Sequence, residues 1–246
     1  YGHHGLEADL EVMELMVEAL SLAGSHALKL DLTPAGIVKI ICDSRGLSPE
    51  VQDLTHDLVL SKNLPQLRAQ LGGIDAKLAE TLCDISMLYG DLAADDDEIL
   101  NRAATCLPKN PEIDSVLTGL RQIARSSLWR DYPRVKLSVD FGDMRAWQFH
   151  TGISFSAYID QHPVAVARGG RYDNIGASFG RARAATGFSV ELRELAALAA
   201  DPAPAQAVRA PWRDDPQLRS AVRALRAAGE IVVQAMPGHE NDQEEF

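Results

Sequence analysis

The sequence predicts an α+β protein, an antiparallel sheet flanked by helices, and three observations carry that expectation. Helical periodicity dominates to about residue 127. After Tyr132-Pro133 the chain switches to short runs of β-formers separated by turn residues. A stiff linker, Asp201-Pro202-Ala203-Pro204-Ala205, then sets off a small βαβ segment. With 246 residues, 46% hydrophobic and 24% charged, the chain has apolar material for one large domain with appendages.

Taken in order, Leu6, Leu10, Met13, Val17 and Leu20 recur on one helical face, with acids in the early turns and Gly24 as a stop. Residues 26–32 alternate, so Leu28, Leu30 and Leu32 line one side of a half-buried strand. Thr33 reads as a cap and Pro34 as the first residue of a short helix to about Cys42. Residues 48–130 read as an all-helical insertion, in which Ser48-Pro49 and Asn110-Pro111 each pair a capping side chain with a first-turn proline. The acidic run Asp95, Asp96, Asp97 and Glu98 reads as a solvated helix start, because it lacks the glycine and terminal glutamate of a calcium loop. Residues 135–139, 147–159 and 164–167 read as adjacent antiparallel strands, and residues 185–190 as a further buried strand leading into a helix over 191–200. Beyond the linker, residues 208–210, a helix from Pro216 to Ala228 and residues 230–236 form one βαβ unit with parallel strands. The expected organisation is a core in two parts, residues 1–47 and 131–200, interrupted by the insertion 48–130 and followed by a linker and a truncated βαβ segment, residues 201–246. The start at Tyr1 and the polar end suggest a piece of a longer parent.

The net charge of −11 repels polyphosphate backbones, so a nucleic-acid role requires a strong local basic patch, and none is expected to serve one. Cys42, Cys83 and Cys106 are too few and too scattered for a disulfide framework or a zinc knuckle, which favours a reducing cytoplasm. No apolar run reaches the roughly 18 residues of a membrane-spanning helix, and no signal peptide is legible.

The densest chemical signal is Arg168-Gly169-Gly170-Arg171-Tyr172-Asp173, followed by Gly176, Phe179-Gly180-Arg181, Arg183 and Gly187. Four arginines in sixteen residues, among glycines that admit close approach, make either an anion site or a basic loop that pairs with the protein's own acids. Arg168 and Arg171 are its candidate anion contacts. It is neither a Walker loop nor a dinucleotide fingerprint, and no cofactor is expected. A second cluster, residues 145–152, alternates as a strand would, with Arg145, Trp147, Phe149 and Thr151 on one side and Gln148 and His150 on the other. His150 alone reads more readily as a structural histidine than as a base, and the other histidines form no catalytic or metal constellation.

At these two clusters the sequence resembles the catalytic core of histidyl-tRNA synthetases and, more closely, a paralogous family, the regulatory subunits of short-form ATP phosphoribosyltransferase. The matching residues are Ala8-Asp9-Leu10-Glu11-Val12, Arg145, His150-Thr151-Gly152, 155–158, 169–173, Phe179-Gly180-Arg181 and Ala185-Thr186-Gly187-Phe188-Ser189 with Leu192. The resemblance implies a class II synthetase fold and a homodimer. It also implies a histidine pocket in which Arg145 stabilises the ligand while His150 and Tyr172 line the imidazole site. Phe149 and His150 stand where the family carries paired tyrosines, so two hydroxyls are missing.

The third class II motif departs further. The family pattern runs Gly-Phe, two residues, Gly-Leu, one residue, and an arginine that stacks on ATP. This chain reads Gly187-Phe188-Ser189-Val190-Glu191-Leu192-Arg193-Glu194. A carboxylate in the place of the stacking guanidinium repels the triphosphate, and Arg193 points roughly 100° away on the helix. Histidine adenylation is therefore expected to fail. The resemblance then implies a non-catalytic, cytoplasmic regulatory subunit that assembles with the catalytic phosphoribosyltransferase in a hetero-oligomer, supports its activity and conveys histidine feedback. An active histidyl-tRNA synthetase core fragment is the alternative, and an oligomerising scaffold without a ligand is the third reading.

Overall fold

The computed structural model describes residues 1–24, 27–34, 36–93, 96–145, 150–160, 162–198 and 206–238, with the side chains of residues 178 and 179 excepted. The chain divides into two compact units, Tyr1–Leu198 and Ala199–Phe246. No helix among the described residues is long and apolar enough to cross a membrane.

The first unit is built on a six-stranded sheet. Its strands are β1 (Leu28–Pro34), β2 (Tyr89–Asp91), β3 (Val135–Asp140), β4 (Ile153–Ile159), β5 (Ala167–Arg171) and β6 (Thr186–Val190), in the order β2-β3-β1-β4-β5-β6. Every pairing is antiparallel except that of β1 with β3. The expected neighbours over residues 135–167 are thus separated: β1 inserts between β3 and β4, because its alternating leucines give it an apolar face that both partners extend. The strand expected at 164–167 instead starts at Ala167 and runs through the Gly-Gly-Arg segment, whose small residues let β5 lie between β4 and β6.

Residues opposite one another in register share a face. One face carries Leu28, Leu30 and Leu32, Leu137 and Val139, Phe155 and Ala157, and Ala167. It is closed by helix α1 (Leu6–Leu22), which contacts β5 and β6 and buries Met13, Met16, Val17 and Leu20. Full burial of a side chain such as Leu30 contributes roughly 1.5–3 kcal/mol. The other face is polar, carrying Asp31, Ser138, Ser154, Ser156, Tyr158, Arg168, Gly170, Gly187 and Ser189.

After β1 the expected proline-initiated helix does not start at Pro34. That residue closes the strand, and α2 (Ile37–Ser44) begins after Gly36, since proline, lacking an amide hydrogen, is tolerated at a strand end. Five further helices follow: α3 (Pro49–Leu60), α4 (Leu64–Leu71), α5 (Ala76–Ser86), α6 (Glu98–Cys106) and α7 (Pro111–Ala124). Asn110 caps α7 as expected, its side chain accepting from Glu112 N at 2.7 Å. The region read as purely helical also supplies β2, three residues that pair with the edge of β3. So short a strand leaves no periodic signature. The described part of the acidic run, Asp96 to Glu98, opens α6: Asp96 accepts from the amide of Glu98 at 2.8 Å, and Asp97 is bridged by Arg121 and Arg125, while Asp95 lies outside the described residues. The first unit closes with α8 (Leu192–Leu198).

The second unit is a βαβ element: β7 (Val208–Pro211), α9 (Pro216–Ala227) and β8 (Val232–Ala235), with β7 and β8 parallel. Asp215 caps α9 ahead of Pro216. Its apolar cluster is small, Ala210, Val222 and Val232 with Leu218 against them.

Candidate functional site

The polar sheet face holds a cradle where β5 ends. Gly170 and Gly187 are direct partners across β5 and β6 and form its floor. A Cβ on Gly170 would stand 2.8 Å from both His150 Nδ1 and the Ser154 backbone, and one on Gly187 would stand 2.7 Å from the Tyr172 hydroxyl. Glycine is what lets the two aromatic rings descend onto the sheet. The rings lie roughly stacked, with centroids 6.4 Å apart and an interplanar angle of 29°. Burial holds the His150 imidazole below its usual pKa, so the ring is held neutral. Burial, then a hydrogen bond with Tyr1, raises the Tyr172 phenol. A neutral imidazole beside a protonated phenol on a glycine floor suits a flat, polar-edged ligand.

The structure thus brings His150 and Tyr172 together, but Arg145 stands apart from them. Its guanidinium binds the Asp143 carboxylate at 2.6 Å and reaches the Tyr158 hydroxyl at 3.3 Å. Tyr158 lies four residues along β4 from Ser154, the partner of Gly170, a strand distance of about 13 Å. Burial alone would raise the Asp143 carboxyl, but hydrogen bonds from the side chain and backbone of Arg145 outweigh it and lower its pKa. The same contact raises that of Arg145. The two residues are a firmly ionised pair. Nearby, Ser138 donates to Asp31 at 2.6 Å, and burial pushes the Asp31 carboxyl upward. Residues 146–149 lie outside the described residues, so the expected alternation there is not described. Thr151 precedes β4, and its hydroxyl accepts from Asp173 N at 3.1 Å.

Arg168 and Arg171 do not converge on an anion. They alternate along β5, so Arg168 lies on the polar face and Arg171 on the opposite one. Arg171 is buried and fully engaged. It pairs with Asp9 at 3.0 Å and Asp173 at 3.4 Å and donates to the backbone carbonyls of His3 at 3.1 Å and Gly5 at 2.9 Å. Burial raises the Asp9 carboxyl against the pull of Arg171. Asp173 in turn accepts from Ala185 N at 2.9 Å. This guanidinium ties the N-terminal segment to the end of β5. Of the two readings of the arginine cluster, pairing with the protein's own acids describes Arg171. Arg168 lies 3.9 Å from Glu191, and Glu194 pairs with His162 at 3.1 Å.

Sequence reasoning passed over Tyr1 and Asp143, and gave Tyr158 no role beyond its place in the resemblance. Only the Arg145 cation two residues on pointed to Asp143, and nothing local pointed to Tyr1. Among the described residues no three His, Cys, Asp or Glu side chains group as a metal site would require. Cys42 and Cys83 are buried and free, burial pushing the Cys42 thiol up to about 12.

The mostly antiparallel sheet, its helical cover and the glycine-floored cradle define a class II aminoacyl-tRNA synthetase-like core. Solved structures share this fold. A protein titled an ATP phosphoribosyltransferase regulatory subunit/histidyl-tRNA synthetase from Bacillus halodurans aligns with TM-score 0.78 at 21% identity, covering 98% of this chain and 62% of that one. Histidyl-tRNA synthetase from Nostoc sp. PCC 7120 aligns with TM-score 0.75 at 17% identity, covering 98% and 60%. The chain belongs to the histidyl-tRNA synthetase family, whose model matches residues 1–195, and residues 205–246 match the model of the ATP phosphoribosyltransferase subunit HisZ C-terminal domain. Curated relatives from Paraburkholderia phytofirmans and Ralstonia nicotianae, 41% and 42% identical over the whole chain, are named ATP phosphoribosyltransferase regulatory subunit. The chain spans 62% and 61% of their lengths.

Proposed function

We propose that this chain is the synthetase-like core and part of the C-terminal segment of a regulatory subunit of short-form ATP phosphoribosyltransferase, acting at the first step of histidine biosynthesis. The observation that carries the reading is the joining, in one chain, of a synthetase core to a segment matching the HisZ C-terminal domain. A solved complex titled ATP phosphoribosyl transferase (HisG:HisZ), from Thermotoga maritima, pairs a similar fold with a partner, with TM-score 0.56 at 19% identity and coverage of 77% of this chain and 62% of that one. The subunit is cytoplasmic, forms a homodimer within a hetero-oligomer with the catalytic subunit, and binds neither nucleic acid nor membrane. Its domains are the core of residues 1–47 and 131–200, the insertion 48–130 and the C-terminal segment 201–246.

The chain does not adenylate histidine. Glu194 occupies the position of the family's ATP-stacking arginine, and a carboxylate there supplies neither a positive charge nor a stacking plane. Histidine acts as effector. His150 and Tyr172 hold its imidazole over the glycine floor, and Arg145, here held by Asp143 apart from that cradle, meets its carboxylate only in a state in which it has left that pair. Feedback then requires only that histidine bind one state of the assembly more tightly than another.

The test is reconstitution of the full-length parent with the catalytic subunit, scored by product formation from ATP and phosphoribosyl pyrophosphate with and without histidine. Activity that depends on the parent and falls with histidine is the expected result. Robust histidine-dependent pyrophosphate exchange by the parent alone would establish the synthetase reading instead.

A further inference from the structure

Residues 206–238 carry five arginines, Arg209, Arg213, Arg219, Arg223 and Arg226, against the acids Asp214, Asp215 and Glu230, in a chain whose net charge is −11. Helix α9 sets Arg219, Arg223 and Arg226 at spacings of four and three, along the side that also carries buried Val222. Like charges at those spacings repel and weaken a helix unless something neutralises them. Trp212 and Arg213, just after β7, and Gln234 of β8 complete a pocket of about 310 Å³ around this row.

Two of the guanidiniums are held in place. Asp214, the one carboxylate among the described residues lining the pocket, pairs with Arg219. Arg226 donates to the carbonyl of Val232 at 2.9 Å. Among the described residues Arg213 and Arg223 have no ion-pair or hydrogen-bond partner for their side chains. The result is a concave site with two anchored and two uncommitted guanidiniums, an amide side chain and a half-exposed indole, Trp212, 53% accessible.

We propose that this pocket binds a compact diphosphate group, either free or at the end of a nucleotide. A guanidinium fork matches the oxygen spacing of a phosphate and binds it through two parallel hydrogen bonds. Several converging forks suit a multiply charged tetrahedral anion better than a single carboxylate, which offers only two oxygens. Trp212 provides a plane for a base if the diphosphate belongs to a nucleotide. The inference goes beyond the regulatory reading and needs no catalytic partner, so its test is made on the full-length parent chain alone.

Calorimetry with inorganic pyrophosphate at low and moderate salt should give saturable binding that weakens as salt rises. The double variant R213Q/R223Q should weaken it at least tenfold, whereas R102Q, an exposed arginine on α6, should leave it unchanged. Pyrophosphate should also change the intrinsic tryptophan fluorescence, and W212F should abolish that change. A parallel titration with adenosine diphosphate separates the sources: tighter binding than pyrophosphate assigns the site to a nucleotide, and equal or weaker binding assigns it to free diphosphate. Absence of saturable binding, or equal affinity in the parent and R213Q/R223Q, would overturn the proposal. Both arginines are at the surface, so a thermal melt matching the parent's is expected of the double variant and certifies that its fold is intact.

Discussion

Arg171 and Arg223 each belong to an arginine-rich stretch, and the two have opposite fates. Arg171 is 7% exposed, wrapped by two carboxylates and two backbone carbonyls, while Arg223 stands on the surface of α9 with no described partner. The difference teaches that a guanidinium's chemistry is set by whether the fold has already satisfied its donors. A buried cation must be paired to be tolerated at all, so what surrounds Arg171 is architecture. A single exposed cation is tolerated unpaired because water solvates it, so the guanidinium of Arg223 keeps its donors available to a ligand.

The largest effect that sharpens this contrast belongs to Arg171→Ala. Removing the cation leaves Asp9 buried and uncompensated, and a loss of roughly 3–5 kcal/mol in denaturant melts is expected. A loss under about 1 kcal/mol would place Arg171 in the class of surface pairs and break the comparison. Next comes Gly170→Ala, where the added methyl meets both the His150 ring and the Ser154 backbone. A cost of about 1–3 kcal/mol is expected, and truncating His150 as well should not restore it, because the backbone clash remains.

A smaller effect concerns His150. Its pKa is depressed from 6.5 by burial, so below that value the unfolded chain binds the proton more readily than the folded one. The stability it confers is whole above pH 6.5 and drains away as pH falls toward the folded-state value. His150→Gln should flatten the acid side of a melting-temperature profile over that interval, and an unchanged slope would mean the ring is solvated. The smallest expected effect is that of Arg223→Gln, within about 0.5 kcal/mol of the parent, with any gain coming from relief of its repulsion with Arg219. A large loss would show that Arg223 is paired in solution and would erase its difference from Arg171.

The elements that repeat a period over several turns were legible in the chain. They include the leucine alternation of β1, the apolar face of α1, the Asn110-Pro111 start of α7, and the Asp215-Pro216 start of α9 with its two flanking strands. The Gly-Gly-Arg-Tyr-Asp and Thr-Gly-Phe-Ser segments likewise carried the resemblance that identified the family, and that resemblance implied a place for His150 beside Tyr172, where the two rings lie close together. Periodicity, capping chemistry and glycine placement are properties of neighbouring residues, so the linear order of amino acids suffices to determine them. Other features depended on pairings between distant segments. Those are the insertion of β1 between β3 and β4, the capture of β2 from a helical region, the fate of Arg171 against Asp9, and the reach of Arg145 to Tyr158 on β4. Only the tertiary structure decided these, because burial and charge compensation arise between residues that the chain keeps far apart and the sheet brings within a few ångströms.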